Sequence, residues 1–227
     1  MGKHHQDSED PAELAMNLPT PSPTLELVDT ILSGNAWKVR LLCGYLGVPL
    51  VRRSLSIVDG DLEKEEFALI NPARQIPVLR TRENTWLPES PAILWYLAQN
   101  TDFLPTDRAQ QAEVLRWLTF EQTLHMVNFA QPRLLVSLRK TMSFTDPQVV
   151  AWQKAGRQAL SIMDTHLSGQ AFFVGDVATI SDVALYPYTC MANEAGYDLT
   201  PYANVNAWLD RMRALPGFTP LLHNASL

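Results

Sequence analysis

The sequence predicts a chain of two unlike parts: a mixed α/β unit over residues 24–101, then an all-helical unit over residues 108–227. Three observations carry this. Strand-like and helix-like patterns alternate over 25–99 in the order β-α-β-α-β-β-α. Residues 100–107, with Thr101, Asp102, Pro105 and Thr106, break the periodicity and read as a linker. Beyond them the apolar residues recur at helical spacing only.

The elements follow in order. Leu25-Glu26-Leu27-Val28 is a short strand. Val39, Leu42, Cys43 and Leu46 mark a helix over 35–47 that Gly47 ends. Residues 50–58 alternate as a second strand, and 62–69, with Glu near its start, form a short helix. Asn71-Pro72 breaks the pattern before a strand over 76–81. Arg82-Glu83-Asn84 turns into a strand over 85–87, and 91–99 is helical. This order implies parallel crossovers followed by an antiparallel hairpin, with helices on both faces of the sheet. In the second part, residues 108–138 predict one long helix, kinked near Pro132. Thr145 or Asp146 caps a helix to about 167, Thr179 opens another through 195, and 203–215 is the last. Residues 1–23 are polar, then proline-rich, and predict a flexible extension.

Composition narrows the function. A net charge of −6 and a pI near 5.3 leave no basic excess for a phosphate backbone, so a nucleic-acid partner is not expected. No run approaches the roughly 18 apolar residues of a membrane span. Cys43 and Cys190 are the only cysteines, far apart in apolar patterns, which fits a reducing, cytoplasmic setting. Cys-x-x-Cys, clustered His and Cys, Gly-x-Gly-x-x-Gly and phosphate-loop patterns are all absent, so no metal or nucleotide is expected.

The residues with chemical promise lie at strand and helix ends. Pro77 starts a strand run, where proline is tolerated; a cis bond there would free the main-chain groups of Ile76 for a ligand. Glu89-Ser90-Pro91 reads as a helix start, which favours anions. Ser90 suits a carboxylate and Glu89 an ammonium, the two charges of an α-amino acid; Gln75 offers a further hydrogen bond. Ser33, before the first helix, is either an N-cap or a donor to a bound thiolate. Thr179 and Asp182 form a capping box with a structural role. Trp117, Phe120, Leu124 and Val127 form an apolar stripe, mostly core, of which part faces a ligand cleft. His125 has no partner at catalytic spacing and reads as surface or cleft decoration.

These segments together resemble the cytosolic glutathione S-transferase family. The anchors are Ser33-Gly34-Asn35-Ala36-Trp37-Lys38-Val39-Arg40, Asn71-Pro72-Ala73-Arg74-Gln75-Ile76-Pro77-Val78-Leu79, Glu89-Ser90 and Thr179-Ile180-Ser181-Asp182, and the match covers about residues 24–222. The resemblance implies a thioredoxin-like N-terminal domain, an all-helical C-terminal domain, a cis bond at Pro77, glutathione as co-substrate and a homodimer. It makes Ser33 the thiolate-stabilising serine, with Asn35 as second catalytic candidate. Gln75, Ile76, Pro77, Glu89 and Ser90 would bind glutathione; Leu32, Phe120, Leu124 and His125 would line a pocket for an electrophile. The implied activity is glutathione transfer to an apolar electrophile. A maleylacetoacetate-type isomerase is the alternative, opposed by Ser33-Gly34-Asn35 where that class carries Ser-Ser-Cys; a non-catalytic binding or assembly module is another. Arg74 and Glu89 depart from the commoner residues at their positions, and Arg74 would offer a positive contact for a carboxylate.

Overall fold

The computed structural model describes residues 24–56 and 60–222; the predicted N-terminal extension lies outside them. Four strands form one sheet in the order β2-β1-β3-β4. They are β1 (Leu25–Asp29), β2 (Leu50–Ser54), β3 (Val78–Arg80) and β4 (Trp86–Pro88). β1 and β2 are parallel, joined by helix α1 (Gly34–Leu46). The expectation of further parallel crossovers is corrected: β3 returns antiparallel to β1, and β4 antiparallel to β3. A 3-10 turn (Asp61–Glu63) and helix α2 (Glu65–Ile70) join β2 to β3, and helix α3 (Ser90–Leu97) follows β4. This is a thioredoxin-like mixed sheet, and everything after it is helical.

Helix α1 joins the two parts because it is apolar on more than one side. Val39 and Cys43, one turn apart, pack with Leu25, Leu27, Leu79 and Ile93 under the sheet. Trp37, Leu41 and Leu42, on another face, belong to the core of the helical part. The Trp37 ring meets Tyr186 edge-on at 5.7 Å, and its Nε1 donates to the Thr219 carbonyl at 2.7 Å. Gly47 ends the helix as predicted, with φ 62°, which glycine adopts at low cost.

The helical domain contains α4 (Arg108–Phe120), α5 (Met126–Pro132), α6 (Pro147–Leu167), α7 (Ile180–Cys190) and α8 (Ala203–Ala214). The single long helix expected over 108–138 is corrected: π-helical turns at Glu121–His125 and Arg133–Leu138 interrupt it. Each is a single turn with one more residue than an α-turn, too brief a shift to show in the apolar spacing. π-turns inside α-helices occur often at functional sites. No helix among the described residues is long and apolar enough to cross a membrane.

Candidate functional site

The β1–α1 loop carries Ser33 and is held from both sides. Below it, Asp29 is fully buried and accepts from Arg40 and from both Nε (3.0 Å) and Nη2 (2.8 Å) of Arg52. Arg40 also donates to the carbonyls of Thr30 and Ile31, at 3.4 and 3.2 Å. From the helical domain, buried Arg133 donates through Nη1 to the Leu32 carbonyl at 2.7 Å and through Nε to Glu194 at 2.7 Å. The residue before Ser33 is thus fixed across the domain boundary. Gly34 comes next because nothing larger fits: a Cβ there would stand 2.7 Å from the Tyr188 ring.

Ser33 is the N-cap of α1, and its Oγ accepts from the Ala36 N–H at 3.2 Å. The cap role and the donor role are therefore compatible. A hydroxyl that accepts one bond still has its own hydrogen to give.

A narrow cleft beside this helix start is lined by Asn35, Asn71, Gln75, Ile76, Pro77, Glu89 and Ser90, with Gln122 and Met126 from the helical domain. Six of the sequence-predicted site residues thus meet in one place; Ser33, two positions before Asn35, does not itself line the cleft. The Ile76–Pro77 bond is cis. The Ile76 N–H and C=O form no hydrogen bond to another described residue. Asn71 fixes the loop by donating to the Gln75 carbonyl at 2.8 Å, which leaves the exposed Gln75 side chain free.

The helix start on the far wall differs from expectation in detail. Glu89, not Ser90, is the N-cap of α3, with φ 73° and ψ 112°, a conformation that non-glycine residues rarely adopt outside functional sites. Ser90 is the first helical residue, only 4% exposed, and its hydroxyl has no hydrogen bond to another described residue. The first-turn N–H groups have no intrahelical partner either. Arg74 turns away from the cleft: it donates to the Glu63 carbonyl and to Glu65, which corrects its reading as a carboxylate contact.

Lys38 and Glu121 are two further buried charges that sequence reasoning missed. Both side chains are fully buried, and Nζ lies 2.7 Å from Glu121 Oε1. Burial pulls the Lys38 ammonium below its ordinary pKa, while Glu121 and then Glu89 pull it back up. A lysine three residues after Asn35, inside an apolar helix pattern, was the available signal.

The electrophile pocket is only partly as expected. Leu32 and Leu124 are half-buried. Phe120 turns its ring edge-on to Trp117 at 5.0 Å, on the core of the helical domain. His125 is corrected outright: it is fully buried, its ring stacked on Phe129 at 4.4 Å. Its Nε2 meets Thr189 Oγ1 at 2.9 Å, and that hydroxyl donates to the Leu185 carbonyl. Nε2 therefore carries the proton, and Nδ1 has no partner among the described residues.

Burial first, and Lys38 second, push the His125 pKa from 6.5 down to about 3. The unfolded chain then binds a proton that the folded chain refuses. Stability from this group is complete above pH 6.5 and is lost as pH falls toward 3. His125→Gln, which keeps a donor for Thr189, is expected to flatten the acid limb of the stability curve in urea titrations. An unchanged limb contradicts the buried neutral ring.

The family model of the glutathione S-transferase N-terminal domain matches residues 32–100, and that of the C-terminal domain matches 132–216. A crystal structure of a glutathione S-transferase from Pseudomonas fluorescens is 34% identical, with TM-score 0.85, covering 88% of this chain and 99% of that one. The chain belongs to the glutathione S-transferase family. A second transferase of this family, from Xanthobacter autotrophicus, is 32% identical with TM-score 0.83, covering 87% of this chain and 97% of that one. Glutathione S-transferase D7 of Drosophila melanogaster is 26% identical over 204 residues, 87% of each chain. The two family models fall on the sheet-bearing and helical parts of the transferase fold described above.

Proposed function

We propose that this chain binds glutathione in the cleft beside Ile76–Pro77 and transfers its thiolate to an electrophilic, largely apolar small molecule. The observation that carries this reading is the convergence of Asn35, Gln75, Ile76, Glu89 and Ser90 on one cleft at two helix starts. The unpaired main-chain groups of Ile76 suit the cysteinyl part, as an added strand would. The Ser90 hydroxyl and the α3 first turn suit the γ-glutamyl carboxylate, Glu89 its ammonium, and Gln75 the remaining polar groups.

Ser33 acts on the sulfur. A cysteine thiol has a pKa near 8.5, and lowering it by about two takes roughly 2.7 kcal/mol of preference for the thiolate. A hydroxyl donor at a helix N-terminus supplies that magnitude. The thiol proton leaves to solvent, sulfur attacks the electrophilic carbon, and the leaving group departs with its bonding electrons. The electrophile approaches beside Leu32 and Leu124. The same reading places the enzyme in the cytoplasm, as a homodimer.

Titration calorimetry with glutathione and a conjugation assay with an aromatic chloride test this. Saturable heat and glutathione-dependent release of chloride are expected. Binding without conjugation to any electrophile favours the assembly module instead; absence of saturation at millimolar glutathione overturns the reading.

A further inference from the structure

Asn35 lines the cleft and its amide has two unlike ends. A lysine ammonium has three donors and no acceptor, so it can face only the oxygen of an amide. Lys38 Nζ lies 2.8 Å from Asn35 Oδ1, one turn away on the same helix. That contact settles which way the amide points: Oδ1 inward to Lys38, Nδ2 away from it. No other described residue accepts from Nδ2. Lys38 is in turn anchored by Glu121, whose second oxygen accepts from Gln122, itself a cleft residue.

A fully buried lysine and carboxylate are an expensive way to join two domains, since apolar residues of similar size usually serve stability as well or better. Orientation of Asn35 gives the pair a purpose. We propose that Lys38, anchored by Glu121, is a positioning residue that turns the Asn35 amide so that Nδ2–H donates to the bound thiolate, as a second hydrogen bond beside that of Ser33. This rests on the glutathione reading given above. The helical domain, through Glu121, then contributes to thiolate stabilisation without touching the sulfur.

The test follows the thiolate absorbance of bound glutathione against pH, together with kcat and KM. Asn35→Asp keeps an oxygen for Lys38 and places the other where Nδ2 stood. Lys38→Met combined with Glu121→Gln removes both buried charges at once. The thiolate midpoint is expected to rise by about one pH unit in the double variant and further in Asn35→Asp, where a carboxylate repels the sulfur. At about pH 5.5, below both midpoints, kcat falls about tenfold in the double variant and recovers as pH rises, with glutathione KM within about threefold. A merely structural brace would move KM and melting temperature but leave the midpoint in place.

A wild-type midpoint in Asn35→Asp overturns the proposal. If the double variant does not fold, Lys38→Gln, whose amide NH2 still faces Asn35 Oδ1 and Glu121, is expected to keep the wild-type midpoint, and Asn35→Ala, at a half-buried position, removes the Nδ2 donor without adding charge; an unchanged midpoint in Asn35→Ala overturns the proposal. Should wild-type protein bind glutathione with an unshifted midpoint, the thiolate reading fails and this proposal with it. Should Ser33→Ala raise the midpoint while Asn35→Asp does not, the thiolate reading stands and only the Lys38 role falls.

Discussion

Ser33→Ala is expected to lower kcat/KM for conjugation about tenfold below the thiolate midpoint while glutathione KM stays within about threefold. The Ser33 oxygen already accepts from the Ala36 N–H, so its proton is the part left over for a ligand. Alanine removes two things with separate signatures. Loss of the cap costs about 1 kcal/mol of folding stability. Loss of the donor costs about 1.4 kcal/mol, half of the roughly 2.7 kcal/mol shared with the helix start and Asn35, which is about tenfold in rate below the thiolate midpoint. The pH profile separates them: the variant's activity is expected to climb toward wild type in alkaline buffer, where the thiol ionises unaided. A variant that loses only stability, with kcat intact at neutral pH, would make Ser33 a cap and nothing else.

Asp182→Ala is expected to destabilise the fold by about 3–5 kcal/mol, measured by urea denaturation. Asp182 is fully buried at the start of α7 and accepts four hydrogen bonds. Oδ1 takes the Phe173 N–H at 3.0 Å and Trp208 Nε1–H at 2.9 Å. Oδ2 takes the Thr179 N–H at 2.9 Å and hydroxyl at 3.1 Å. Alanine orphans all four donors inside the core and leaves a cavity. Asparagine is expected to recover only part of the loss, since its NH2 end would face two donors. Burial pushes the Asp182 carboxyl from 3.8 up to about 6, against the pull of those donors. The folded chain therefore holds a proton between those values that the unfolded chain has released. The contribution of Asp182 is fullest below pH 3.8 and declines as pH rises through about 6. The gap between wild type and Asp182→Ala should accordingly widen as the buffer is taken from neutral toward pH 4.5. A gap under about 1 kcal/mol at both pH values would contradict this account of the capping box.

The order of strands and helices was legible because each element has its own local signal. Gly47 ends α1, Asn71-Pro72 interrupts before β3, and Thr179 with Asp182 opens α7. The cleft was legible in outline because Ile76-Pro77 and Glu89-Ser90 are local motifs. What stayed hidden spans long sequence distances. Lys38 and Glu121 are 83 positions apart, and Arg133 reaches a carbonyl 101 positions away. Such pairs leave no periodicity, and a charge inside an apolar pattern reads first as a long side chain reaching for water. His125 failed for a related reason. Spacing can say that a histidine lacks a nearby carboxylate, but only packing says that Phe129 and Thr189 enclose it.

Arg133 hands the helical domain a grip on the loop that carries Ser33. The two halves are thus poor candidates for free recombination. A chimera that grafts a foreign helical half to gain a new electrophile preference also replaces the hand that steadies Ser33, the residue proposed to act on the sulfur. In such hybrids, altered selectivity and altered thiol reactivity should be inherited together.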